Sequence, residues 1–418
     1  MHSYIFTTHG LRELVQHTSA PASAKSIKKI EIASRRLPEY FLKPELNDTL
    51  SMASEHSLLI RREEFHQIWE ADRRALSGIG ASSAANSFAI LFANLAAADQ
   101  RVTVSVTGTR ARRPHGATAL FNQIDAYLDN DDCESDSCDK VIVALLAASR
   151  LTDAPIKSLT FELQIGYFSL GPDFVALQQG FATHGHPQLG TLSSLAVGFA
   201  GIFSRSPRDK WALLDMIMTA APAIQSLTLQ WNDARMIKEN YALMLHEISA
   251  LTRISAIRDL TLINIQVDHT NILRNLTTPP NTLRSLSLTA VYLTQDDLIR
   301  YLGTQHDSLR ELKLDTTLMQ GNTYWRATLR WIADNLQLEK LELRGLTCMG
   351  WCESLEEYHP QVMCGRGDEG WWLSHGVYQG TDVVKEGLIT LVEHGKYQWE
   401  DSPRDCKMQE DLPSTASP

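Results

Sequence analysis

The chain has 418 residues, 44% of them hydrophobic and 21% charged; 39 Lys and Arg stand against 49 Asp and Glu, a net charge of −10. That apolar content excludes wholesale disorder, and the acidic balance excludes a basic nucleic-acid coat. Six cysteines in so long a chain are too few for a disulfide scaffold and suit a reducing compartment.

Read from the start, Met1-His2-Ser3-Tyr4-Ile5-Phe6-Thr7 has no basic opening and no long apolar run, so no secretion signal is expected. The first patterned segment is Ile27/Ile30/Ile32, an apolar spacing of the form L-x-x-L-x-L. Residues 55–76 predict a long charged helix carrying Leu58, Leu59, Phe65, Ile68 and Trp69. Residues 77–87, rich in Gly, Ala and Ser, predict a flexible joint. Residues 88–98 are the most apolar window, but reach only half of the roughly 20 residues that cross a bilayer. Val102-Thr-Val-Ser-Val106 alternates with period two and predicts a strand. Residues 129–139, dense in acids and holding Cys133 and Cys138, predict a solvated loop.

The same apolar spacing then recurs at Ile156/Leu159/Phe161, Leu192/Leu195/Val197, Ile224/Leu227/Leu229, Ile257/Leu260/Leu262, Leu283/Leu286/Leu288, Leu309/Leu312/Leu314 and Leu338/Leu341/Leu343. The steps between copies are 36, 32, 33, 26, 26 and 29 residues. Such a period marks a leucine-rich repeat of loose length. In a short strand the fourth and sixth positions share one face, and the first enters the same core from the turn. Parallel neighbours need a crossover between them, which explains a period near 30. Helices are predicted in those crossovers at 209–220, between Pro207 and Pro222, at 233–251, at 294–302, opened by Thr294, and at 324–336. The expected fold is α/β: an irregular leucine-rich-repeat solenoid, with a curved parallel sheet backed by helices. It divides into irregular N-terminal repeats (1–150), the regular array (151–345), a capping region (346–400) and a disordered tail (401–418). Trp351, Trp371, Trp372 and Trp399 are assigned to covering the open end of the array.

Residues alternating with the core leucines face away from the core and are the natural binding positions. They include Thr160, Thr228, Gln230, Thr261, Ser287, Lys313, Asp315, Glu342 and Arg344. The middle of this set is small and hydroxyl-bearing, and its C-terminal end carries both charges. That mixture suits a polypeptide segment better than a phosphate backbone, so a protein partner is expected, and neither nucleic acid nor membrane. Reversing the charges of Lys313 and Arg344 is expected to weaken that partner without changing the melting temperature.

Enzyme motifs are absent: no phosphate-cradling Gly-rich Lys loop, no H-E-x-x-H and no G-x-S-x-G. Cys348, Cys352, His359, Cys364 and His375 are the one metal-like group. Their first pair is C-x3-C and Cys364 lacks a close cysteine, so they are read as ordinary thiols. No catalytic residue, metal or cofactor is expected.

Leu309-Arg-Glu-Leu-Lys-Leu314, Leu341-Glu-Leu-Arg-Gly345, Val384-Lys-Glu-Gly-Leu388 and Arg35-Arg-Leu-Pro-Glu-Tyr-Phe41, taken together, resemble segments of the fungal F-box proteins with a leucine-rich-repeat-like C-terminal region. Leu309-Arg-Glu-Leu-Lys-Leu314, then Leu318, Gly321, Trp325 and Leu329-Arg-Trp331 resemble the family's strand, glycine and Trp-bearing helix. Leu341-Glu-Leu-Arg-Gly345 with Asp368-Glu-Gly-Trp-Trp372, and Val384-Lys-Glu-Gly-Leu388 up to His394-Gly395, resemble its terminal elaboration and closing helix. Leu11-Arg-Glu-Leu14, Ile30-Glu-Ile32 and Arg35-Arg-Leu-Pro-Glu-Tyr-Phe41 resemble the segment that follows the F-box. The resemblance implies the substrate-recognition part of a ubiquitin-ligase receptor, without enzymatic activity of its own. Leu37-Pro38-Glu39 has the opening letters of an F-box, but Pro44 would interrupt its helix. The chain is therefore expected to begin just after the F-box, and to meet the ligase adaptor only if one exists upstream. The other expectation is an orphan or truncated repeat scaffold with no ligase link. Either would reside in the cytoplasm or nucleus.

Overall fold

The apolar triplets explain the fold directly: every one of their residues, from Ile27 to Leu343, is buried to 2% exposure or less. The computed structural model describes residues 2–33, 35–36, 67, 71–72, 74–76, 83–107, 134–135, 138–164, 174–179, 189–200, 208–232, 257–265, 272–320, 325–349 and 376–394. The chain divides into two units, Met1–Gln225 with Asn232–Asn240, and Ser226–Trp231 with Tyr241–Pro418. Each is an α/β arrangement in which a mostly parallel sheet is backed by helices.

In the first unit, β1 (His2–Ile5) leads through α1 (Thr8–Ser19) and α2 (Pro21–Ser26) to β2 (Lys29–Ala33). α1 starts at Thr7, whose hydroxyl accepts from the Gly10 amide at 3.0 Å, satisfying one orphan donor of the first turn. β3 (Arg35–Arg36) precedes α3 (Ala84–Ala97), β4 (Val102–Thr107), β5 (Glu134–Ser135) and α4 (Asp139–Ser149). β6 (Ile156–Gln164), β7 (Ser194–Ala200) and α5 (Arg208–Ala220) complete the unit. The sheet order is β1-β2-β4-β6-β7, and all of these pairings are parallel. Phe88 and Phe92 of α3 are fully buried, with Phe6 stacked on Phe88 at 6.4 Å. Leu11 and Leu14 of α1 and Ile142, Leu145 and Leu146 of α4 fill the rest of that helical layer.

The second unit begins with β8 (Ser226–Asn232) and β9 (Asp259–Ile263), followed by α6 (Ile272–Asn275) and β10 (Ser285–Thr289). Then come β11 (Tyr292–Thr294), α7 (Gln295–Thr304), β12 (Glu311–Asp315), β13 (Leu318–Gln320) and α8 (Trp325–Asn335). β14 (Lys340–Arg344), β15 (Thr347–Met349), β16 (Gly376–Gln379) and α9 (Thr381–His394) close it. The order β8-β9-β10-β12-β14 is parallel, and β16 is added antiparallel to β14. β11, β13 and β15 make a second, parallel sheet of three short strands.

One backbone device recurs at the end of the strands in this unit. Asn264, Ala290, Thr316 and Gly345, each the residue after β9, β10, β12 and β14, all have a positive φ between 49° and 57°. The left-handed residue turns the chain sharply out of the main sheet and toward the small one. Its amide still extends the ladder: Asn264 donates to Thr289, Ala290 to Asp315 and Thr316 to Arg344, at 2.7–2.8 Å. Four strands therefore end at one level, which holds their outward residues in line.

The helices expected at 209–220, 294–302 and 324–336 correspond to α5, α7 and α8. Thr294 caps α7, accepting from the Asp297 amide, with Asp296 and Asp297 in the positive first turn. Two expectations are corrected. The joint proposed at 77–87 is already helical by Ala84, because the Ser83 hydroxyl accepts from Asn86 and starts α3. The loop proposed at 129–139 is not solvated throughout, since Glu134–Ser135 pairs with β3, and Cys138 and Asp139 are buried where α4 begins. The helices proposed at 233–251 and over most of 55–76, Pro44, and the four capping tryptophans lie outside the described residues. Among the described residues no helix is long and apolar enough to cross a membrane.

Candidate functional site

Eight of the nine outward residues singled out from the sequence lie in the second unit, and strand register brings them together. Thr228, Thr261, Ser287, Lys313 and Glu342 are successive cross-strand partners and form one continuous row over five parallel strands. Gln230, Ile263, Thr289, Asp315 and Arg344 form the next row, toward the strand ends. Ser226, Asp259, Ser285, Glu311 and Lys340 form the row on the other side. Burial alternates strictly along β9, β10 and β12, so these rows share the face opposite the core. Thr160 is the exception: it belongs to the first unit, exposed on β6 between Ser105 and Ala196 of its neighbours.

The charged end of this face is a small network. Lys313 Nζ lies 2.9 Å from Glu342 Oε1 and 3.8 Å from Asp315 Oδ2, and Arg344 Nε lies 4.0 Å from Asp315 Oδ1. The carboxylates are the more sheltered partners, Asp315 at 14% and Glu342 at 22% exposure, whereas Arg344 is 62% exposed. Asp259 has its pKa raised above the usual carboxylate value, first by desolvation and then by Glu311; Arg284 and Arg258 act in the opposite direction. The face therefore presents mostly hydroxyls on β8 to β10, with the Asp259 carboxyl among them, and charges of both signs on β12 and β14.

Two contributors escaped the sequence reading. Ile263 places a half-buried apolar side chain amid the polar rows. β16 brings Val377, 54% exposed, opposite Glu342. The signal for Ile263 was present, since it stands in the same repeat position as Thr289 and Asp315. No such signal existed for β16, because Gly-Val-Tyr-Gln lacks the apolar triplet.

Of the metal-like group, Cys348 lies on β15 and the other four members fall outside the described residues. Among the described residues no three His, Cys, Asp or Glu side chains cluster as metal ligands would. Fold and face define an α/β protein with a parallel sheet backed by helices and an open, polar sheet surface. No protein-family model matches the sequence, and no curated protein matches it.

Proposed function

We propose that the chain is a non-enzymatic protein-interaction module, an irregular leucine-rich-repeat solenoid whose curved sheet takes a polypeptide partner. The contact surface is the outward face of β8 to β14, with Thr228, Gln230, Thr261, Ser287, Lys313, Asp315, Glu342 and Arg344. One observation carries this reading: three uninterrupted cross-strand rows of outward residues, neutral at one end and doubly charged at the other. An extended segment could lie across such rows, with hydroxyls offering hydrogen bonds and the Lys313–Glu342 and Arg344–Asp315 pairs fixing register. By the resemblance to fungal F-box proteins, the partner is a substrate presented for ubiquitination.

The ion pairs change how the face should be probed. Charge reversal at Lys313 and Arg344 would set new carboxylates against Asp315 and Glu342 and disturb the fold as well as binding. Lys313→Gln with Arg344→Gln removes the cations without that repulsion, and exposed pairs of this kind contribute only about 0–1 kcal/mol each. A photo-crosslinking residue at Ser287 is expected to capture a polypeptide from native lysate, and the double Gln variant to lose it. Capture of the ligase adaptor in the same complex would support the receptor role. Undiminished capture by the double variant refutes the face, and a stable complex without adaptor or ubiquitinated partner leaves a scaffold.

A further inference from the structure

The geometry points to a second site, on the strand-entry edge of the second unit: a cleft that binds a phosphate monoester through Arg258, Arg284 and Arg310. These residues immediately precede β9, β10 and β12. They are stacked one strand apart, since Arg284 N donates to Arg258 O at 2.7 Å and Arg310 N to Arg284 O at 2.8 Å. They line an open cleft of about 370 Å³ together with Asn281, Thr282 and Ser308, and no carboxylate is among the lining residues. This edge lies beside the sheet face: Asp259 and Glu311, one residue further on, alternate to the outward rows, and the Asp259 carboxyl remains within electrostatic reach of Arg258 and Arg284.

Three like charges at equivalent positions of adjacent strands repel one another, which a sheet ordinarily avoids. Only part of that repulsion is relieved from within the protein. Glu339, next in the row, lies 3.7 Å from Arg284 and 3.9 Å from Arg310; Arg284 and Glu339 are well exposed and Arg310 is half-buried. Arg310 is also held in place, donating to Asp307 O at 2.8 Å and Leu309 O at 3.0 Å. Arg258 makes no ion pair and no side-chain hydrogen bond among the described residues, and acts only electrostatically on the Asp259 carboxyl. The neutral liners are already committed: Asn281 donates to Asp307, Thr282 to Pro279 O and Ser308 to Leu283 O. The donors that remain are the guanidinium groups, whose forks match the oxygens of phosphate.

The cleft also limits the size of its ligand. Glu339 ends the basic row on one side, and Asp307 stands at the rim beside Asn281. A long polyanion would run onto these carboxylates, whereas a single dianionic group needs only the cleft that Arg258, Arg284 and Arg310 line. The same repeat position is again basic at Lys28 and Lys157 of the first unit, both exposed, but with no arginine beside them at that position.

The test is calorimetric titration of the full chain with inorganic phosphate, a short phosphoserine peptide, the same peptide unphosphorylated, and succinate. Saturable binding of the two phosphate probes is expected, with no response to the unphosphorylated peptide. Arg258→Gln should weaken it at least tenfold with a nearly unchanged melting curve, because among the described residues its side chain makes no ion pair or hydrogen bond and only acts at a distance on Asp259. Arg258→Lys, which keeps the charge and loses the fork, should fall between. A phosphopeptide bound tenfold more tightly than inorganic phosphate assigns the group to a polypeptide, and equal affinities assign it to a small phosphate. Absence of saturable phosphate binding, wild-type affinity in Arg258→Gln with Arg284→Gln, or succinate bound as tightly as phosphate would each overturn the proposal. Lys313→Gln with Arg344→Gln should leave phosphate binding untouched, keeping this result independent of the partner-binding face.

Discussion

Replacing Gln305 by Leu should destabilise the second unit by about 3 kcal/mol. Gln305 follows α7 at 1% exposure, and its amide fastens two repeats together. Its Oε1 accepts from the amides of Thr282 and Leu283 at 3.0 and 3.1 Å, and its Nε2 donates to Pro279 O at 2.9 Å. A weaker contact runs from Nε2 to Thr278 Oγ1 at 3.3 Å, and that hydroxyl also meets the buried Tyr301 hydroxyl at 2.9 Å. Leucine fills a similar volume but returns none of these bonds. The Leu283 amide, fully buried, then loses its partner at about 2 kcal/mol; the half-buried Thr282 amide and the Pro279 carbonyl lose about 1 each. Burying an aliphatic group in place of an amide returns about 1 kcal/mol. Urea unfolding, with amide exchange at Leu283 and Leu286 to report on this unit by itself, measures the loss. Thr304→Ala, an exposed neighbour, should change stability by less than about 0.5 kcal/mol. A loss below about 1 kcal/mol in Gln305→Leu would show that the freed amides find water, and would refute the clasp. The same substitution should loosen the 281–283 turn that forms one wall of the arginine cleft.

Gly387 of α9 lies against Tyr378 of β16, and an added Cβ would overlap the ring at Cδ1 and Cε1. Gly387→Ala should lower stability by about 1–3 kcal/mol, while in a Tyr378→Ala background it should raise it by up to about 1 kcal/mol, as Ala favours a helix; thermal melts of the four-member cycle check that reversal of sign. Asp259 holds its proton more tightly folded than unfolded, so its contribution is most favourable in acid and declines as pH rises from 3.8 through the raised value. Asp259→Asn should therefore flatten that part of the pH–stability curve and be the more stable form at neutral pH, with no advantage below about pH 4; a steeper curve in the variant would contradict the assignment.

Much of the second unit was legible because its information is local. Leu283/Leu286/Leu288 and Leu309/Leu312/Leu314 mark strand, face and core in six residues, since alternation follows from pleat geometry alone. For the same reason the outward residues could be named before their neighbours were known. The arginine row was legible too, had the repeats been aligned: Arg258, Arg284 and Arg310 recur at steps of 26 residues, in phase with the leucines. β1 and β16 were not legible, because each is a short segment without the apolar triplet, paired through contacts distant in sequence.

Charge shows the division between sequence and structure most clearly. The sequence by itself determined the α/β character, the buried face of each strand, and an acidity that is uneven: residues 1–120 carry 15 basic and 11 acidic side chains, and those after Leu346 carry 5 and 13. Only the tertiary structure decided which charges meet. Register set Lys313 against Glu342 and placed three arginines side by side on one edge, within a chain whose net charge is −10. The physical reason is range. Pleat and helix period act over a few residues, whereas register is set by hydrogen bonds between strands some 26 to 33 residues apart and by the left-handed turns that end them at one level.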